Sequence, residues 1–233
     1  MKRIILFDKD GTLLNYQKIW TPYAKKAINA FAEAFDRHEA EAEIAHDLGL
    51  IDGEIAPNSI LASGTGTMIQ QRFEDYEEGG AQWMKGYYEK NLDDLWHNME
   101  LIEGSKAVLE RLVEDGYKSV LVTSDSHQSA MSFIRKFSLD PLLHDVITGD
   151  DSPYPKPDVR MLEPFKKRHG YQLEDLVMVG DNQSDTMLGY EEGLFTVGVL
   201  SGTSREMDLE GADIIIDSVV DLYEGDSLII EGK

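Results

Sequence analysis

The chain has 233 residues, with 22 Lys+Arg against 44 Asp+Glu, a formal net charge of −22 at pH 7. That balance argues against nucleic-acid or anionic-membrane partners, which require basic stripes. The absence of cysteine excludes disulfides, thiolate metal sites and a cysteine nucleophile, and suits the cytoplasm.

Apolar residues make up 42% of the chain and recur along it, enough for a core of domain size. The opening MKRIILFDKD resembles the head of a secretion signal. Its apolar run covers only 4–7 and acids follow at once, so it reads as a strand. No apolar run approaches the roughly 18 residues of a membrane span.

Residues 15–99 read as a helical module. Thr21-Pro22 is a candidate N-cap and first-turn pair. Ala24, Ile28, Phe31 and Phe35 then recur on one helical face. An acidic, apolar helix follows and stops at Gly49, and no segment reads as a strand. The stretch 56–67 reads as a loop rich in Ser, Thr and Gly, and 70–99 as helix interrupted at Gly79-Gly80. Trp20, Trp83 and Trp96 are expected to pack within this module.

From about residue 101 the pattern alternates. Val108, Leu109, Leu112 and Val113 form one helical face, ending near Gly116. Strand-length apolar runs stand at 119–123, 146–148, 176–179, 196–199 and 213–216, with Ala130, Phe133, Ile134 and Phe137 on a helix between the first two. Continuous apolar runs indicate strands buried on both faces. The expectation is an α/β fold, a Rossmann-like doubly wound parallel sheet from 1–14 and 100–233 with the 15–99 module inserted.

Polar residues collect where the apolar runs end. Asp8-Lys9-Asp10-Gly11-Thr12 follows the first run. Asp8 can attack as a nucleophile or bind a metal, and Asp10 can donate or accept a proton. A plain Asp-Gly turn fits the pentapeptide equally well. Thr123-Ser124-Asp125 ends the second run, where hydroxyls and amides can hold a phosphate oxygen or cap a helix. Lys156 is pinned between Pro155 and Pro157. Asp181 and Asp185, four positions apart after the 176–179 run, can face one metal or serve as a turn acid and a helix cap. Lys9 is expected to form a surface ion pair.

Taken together, DxDGT at 8–12, Thr123, Lys156 in Pro-Lys-Pro-Asp, and GDxxxD with Asp181 and Asp185 resemble the haloacid dehalogenase (HAD) superfamily, and within it the phosphoglycolate phosphatase-like enzymes. The helical module sits where that family carries its C1 cap. The resemblance implies that Asp8 is the nucleophile that becomes an aspartyl-phosphate and that Asp10 is the general acid and base. It implies that Thr123 and Ser124 bind the phosphoryl group and that Lys156 neutralises charge. The implied Mg2+ ligands are Asp8, Asp10 through its backbone carbonyl, and Asp181, with Asp185 beside them. The implied substrate is a small phosphorylated metabolite, selected by the 56–67 loop of the cap through Thr65 and Thr67. A sugar-phosphate mutase, a phosphonate hydrolase and a non-catalytic phosphometabolite-binding protein are the other readings of this residue set. A substrate assay separates them.

Overall fold

Residues 4–231 are described by the computed structural model. The Lys2-Arg3 pair, part of the leader-like start, lies outside them. In chain order the elements are β1 (Ile4–Phe7), α1 (Tyr16–Phe35), α2 (Glu41–Leu48), β2 (Leu50–Ile51), β3 (Glu54–Ile55), α3 (Ile60–Ser63), α4 (Gly66–Tyr76) and α5 (Gly80–Asn98). Then come α6 (Ser105–Glu114), β4 (Lys118–Val122), α7 (His127–Phe137), β5 (Leu143–Ile147), α8 (Glu163–His169), β6 (Leu176–Gly180) and α9 (Gln183–Thr186). The last are β7 (Phe195–Val199), β8 (Ile214–Ile216), β9 (Tyr223–Glu224) and β10 (Ser227–Leu228).

The continuous apolar runs build one parallel six-stranded sheet, in the order β5-β4-β1-β6-β7-β8. Successive side chains of β1 point to opposite faces, and both faces are covered. Ile5 and Phe7 pack with Leu109, Leu112 and Phe133 on one side. Ile4 and Leu6 pack with Met161, Leu162 and Phe165 on the other. β1 lies between β4 and β6 in register, with Phe7 opposite both Leu121 and Val179. The residues just beyond these three strands therefore emerge side by side, at the edge where an open α/β sheet binds ligands.

The helices and short hairpin from α1 to α5 are inserted between β1 and α6. They have an apolar cluster of their own, with Ala27, Ile28, Phe31, Ile44, Leu48, Phe73 and Met84. Trp83 belongs to it, with its ring centroid 5.3 Å from that of Phe31 and stacked on Tyr87 at 5.0 Å. Trp20 and Trp96 instead pack against the sheet-side cluster, at the join. The chain enters and leaves the insert as a paired ribbon. Asn15 N–H donates to the Glu100 carbonyl, Ile102 N–H donates to that of Leu13, and Leu14 bridges Leu101 in antiparallel fashion. Among the described residues no helix is long and apolar enough to cross a membrane.

Several local expectations are corrected. Helix α1 starts at Tyr16, capped by Asn15, so Pro22 lies inside it rather than at its first turn. Pro22 is exposed, as is Lys18, whose carbonyl loses its helical partner, so water can take that partner's place. Asp52 and Gly53, both at positive φ, turn β2 into β3 where no strand was expected. The 56–67 stretch contains α3, and Ser59 and Thr65 act as N-caps for α3 and α4. Val113 is exposed, so the buried stripe of α6 is narrower than its apolar residues suggest. β5 begins at Leu143, earlier than 146, because an edge strand tolerates exposed polar residues such as His144.

Candidate active site

Asp8 leaves β1 with its backbone N–H donating to the Val179 carbonyl at 2.9 Å, which fixes its direction. Lys156 approaches from the loop after β5. Its Nζ lies 2.6 Å from Asp8 Oδ1, 2.5 Å from Asp185 Oδ1 and 3.4 Å from the Val122 carbonyl. Burial pulls the Lys156 ammonium down, but Asp185 and Asp8 more than reverse this and hold it charged. Asp185 is the N3 residue of a capping box, and its Oδ2 accepts the Asn182 N–H at 3.2 Å.

Asp181 ends β6 and is seated by two glycines. A Cβ at Gly11 would lie 2.4 Å from the Asp181 carboxyl carbon, and one at Gly202 only 1.8 Å from Oδ2. Gly11 also holds φ +86°, a conformation that other residues adopt at a cost. Thr203 N–H donates to Asp181 Oδ2 at 3.0 Å, and Ser201 Oγ to the Gly11 carbonyl at 2.8 Å.

Carboxylate oxygens of Asp8, Asp181 and Asp185 lie within 4.8 Å of one another, and all three residues are buried. Burial pushes the Asp181 carboxyl well above its usual range, and the charges of Asp8 and Asp185 push it further. Burial also raises Asp8, against the pull of Lys156. Were all three carboxylates ionised, one ammonium would leave two negative charges uncompensated. An all-oxygen cluster of that charge fits a hard divalent cation.

The Asp10 carboxylate stands outside that cluster. Its Oδ2 pairs with Lys9 Nζ at 2.7 Å, and its Oδ1 accepts the Trp20 indole N–H at 2.9 Å. Burial raises its carboxyl, opposed by Lys9. Lys9 is not the surface ion pair expected from sequence. It is fully buried, bridges Asp10 to Asp125 Oδ2 at 2.7 Å, and passes the Phe133 ring at 5.9 Å. Ser129 Oγ donates to the same Asp125 oxygen at 2.7 Å. Burial works against the Asp125 carboxylate, yet Lys9 and Ser129 hold it below its usual range.

Thr123 is buried and lines the same cavity as Asp8, and its Oγ accepts the Asp125 N–H at 3.2 Å. Its hydroxyl proton is left for a further acceptor. Ser124 is half-buried. All the residues singled out from sequence, Asp8, Asp10, Thr123, Ser124, Lys156, Asp181 and Asp185, line one cavity of about 630 Å³. Sequence reading missed Asp125, the contact from Trp20 to Asp10, and the 201–203 loop. An available signal was Lys9 itself, a cation set between two acids. The insert supplies the far wall, including Tyr16, whose hydroxyl donates to the Leu61 carbonyl. Of the loop hydroxyls on that side, Ser59 Oγ accepts the Ala62 N–H, Thr65 Oγ accepts that of Met68, and Ser63 Oγ donates to the Ser59 carbonyl.

Known proteins resemble this chain at low sequence identity. A phosphoglycolate phosphatase of Vibrio parahaemolyticus serotype O3:K6 (strain RIMD 2210633) is 23% identical over 225 residues, 95% of each chain. The pyrophosphatase PpaX of Halalkalibacterium halodurans is 26% identical over 198 residues, 84% of this chain and 82% of that relative. The crystal structure of a predicted phosphoglycolate phosphatase from Haemophilus somnus 129pt superposes with a TM-score of 0.73 at 21% identity, covering 95% of this chain and 96% of that one. The sequence model of the haloacid dehalogenase-like hydrolases matches residues 5–199, from β1 through β7 and so across every residue of the acidic cluster. By that match the chain belongs to the haloacid dehalogenase-like hydrolase family.

Proposed function

We propose that this chain is a Mg2+-dependent phosphatase that hydrolyses a small phosphomonoester through an aspartyl-phosphate on Asp8. The observation that carries the reading is the separation of two acid environments in one cavity. Asp8 sits with Lys156 in the three-carboxylate cluster, while Asp10 is held apart by Lys9 and Trp20. The relatives named phosphoglycolate phosphatase and pyrophosphatase support it, because both names describe cleavage of a phosphate bond.

In this reading a carboxylate oxygen of Asp8 attacks phosphorus and the bond from phosphorus to the leaving oxygen breaks. Asp10, protonated, gives its proton to that oxygen. Water then attacks the aspartyl-phosphate, Asp10 takes a proton back, and inorganic phosphate leaves with Asp8 restored. Lys156, the Thr123 hydroxyl and Ser124 hold the phosphoryl oxygens. Asp8, the Asp10 carbonyl and Asp181 would hold Mg2+ with Asp185 beside them, and the bound ion neutralises and orients the phosphoryl group. Residues 1–14 and 100–233 act as the catalytic core, and 15–99 as a cap over the leaving group.

Release of inorganic phosphate from a phosphomonoester, with Mg2+ and with chelator, tests the reading. Asp8→Asn should remain folded and lose nearly all turnover, and acid-quenched wild type should carry a phosphoryl adduct on the Asp8 peptide. Near-normal turnover by Asp8→Asn, with deamidation excluded by mass spectrometry, sinks it.

A further inference from the structure

The cavity continues from the acidic cluster into the helical insert, and its two ends differ in chemistry. The sheet end carries Lys156, the one Lys, Arg or His among the described residues lining it; every other charged lining residue is an aspartate of that same end. The insert end combines an apolar wall of Tyr23, Ala24, Ile28, Phe73 and Met84 with the uncharged polar residues Ser63, Thr65, Thr67 and Gln70. No basic side chain of the insert lines the cavity among the described residues, and three are paired elsewhere. Lys18 pairs with Glu100, Arg37 with Glu77, and Arg72 with Asp47, all on the surface.

The Tyr23 hydroxyl is closed off from solvent and so offers nothing to a ligand, although the Tyr23 ring lines the wall. A carboxylate or second phosphate lodged at this end would meet no cation and would lie near several aspartates.

Resting on the phosphatase reading above, we propose that the leaving group is an uncharged alcohol that packs against the apolar wall of the insert. Phosphomonoesters bearing a further anionic group are rejected. The chain therefore differs in substrate class from what the names of its relatives describe. The phosphorus–oxygen bond to that alcohol breaks, and the Asp10 proton ends on the alcohol oxygen.

The test uses the full chain with Mg2+ and follows phosphate release. Benzyl phosphate and phosphoglycolate are compared first, since both release aliphatic alcohols and differ in the added carboxylate; pyrophosphate completes the set. The expected kcat/KM for benzyl phosphate exceeds that for phosphoglycolate and pyrophosphate by about tenfold or more. Gln70, an uncharged and half-buried lining residue, gives the converse test: Gln70→Lys should raise phosphoglycolate relative to benzyl phosphate several-fold. Equal or faster turnover of phosphoglycolate or pyrophosphate overturns the inference and leaves the phosphatase reading intact. No phosphate release from any of the three removes both readings.

Discussion

Replacing Lys9 with methionine keeps most of the length of the side chain and removes a cation that lies between two carboxylates at 2.7 Å each. At an effective dielectric constant of 20, each such contact is an attraction of about 6 kcal/mol. Desolvation of the three ions offsets most of that sum, so the pairs themselves add little net stability. Removing one partner is different, because Asp10 and Asp125 then stay buried beside each other without compensation. Losses of about 3–5 kcal/mol are typical of a broken buried pair. For a chain of this size that lowers the thermal midpoint by roughly 10 °C. Differential scanning calorimetry of wild type, Lys9→Met and Lys9→Met/Asp125→Asn measures it, and the double variant should recover part of the loss. A Lys9→Met midpoint within 2 °C of wild type would refute the reasoning, since the ammonium would then be replaceable by any packed chain.

Gly202→Ala places a methyl group in the space of Asp181 Oδ2, so the carboxylate must move. The expected results are loss of turnover by two orders of magnitude or more and weaker Mg2+ dependence, read from a Mg2+ titration of activity. Thr65→Ala should cost about 1 kcal/mol in urea unfolding, because the hydroxyl caps α4. It should leave the ranking of substrates unchanged, contrary to the selective role expected for that loop residue. Asp145 faces Arg168 and His169, both at 2.8 Å. Burial raises its carboxyl, but Arg168, the Val146 N–H and His169 bring it below its ordinary value. A depressed carboxyl stabilises the fold above its unfolded value near pH 4 and loses that contribution as pH falls through its folded value. Asp145→Asn should therefore lower stability at pH 7 and flatten its decline below pH 4, as followed by urea unfolding across that range.

The central strands were legible because burial on both faces leaves an uninterrupted apolar run, as in Leu176–Gly180. The motif residues were legible because the parallel register carries the ends of β4, β1 and β6 to one edge. Lys9 was misread because a charged residue in a sequence defaults to the surface. Only the approach of Asp125, 116 positions away, makes its burial possible. Trp20 looked like packing because nothing local ties it to Asp10, and the contact exists only once α1 turns back over the site. The 201–203 loop resembles any Ser-Gly turn, and its fit around Asp181 is a matter of long-range contact. The hairpin of β9 and β10 escaped because two-residue strands carry too little alternation to register.

The paired ribbon at Leu13–Asn15 and Glu100–Ile102 has a consequence for how such a chain can change over time. Both ends of the helical insert leave the sheet at one point, already hydrogen-bonded to each other. To the sheet, the whole excursion is equivalent to a short hairpin, whatever its length. The entropy of closing a loop rises only slowly with added residues, so lengthening or exchanging the excursion changes the stability of the sheet little. Any compact module with neighbouring termini could be spliced at this junction without disturbing the register of β1 with β4 and β6. The chemistry at the strand ends and the chamber above it can then be altered independently, one by point substitution and the other by exchange of a whole segment.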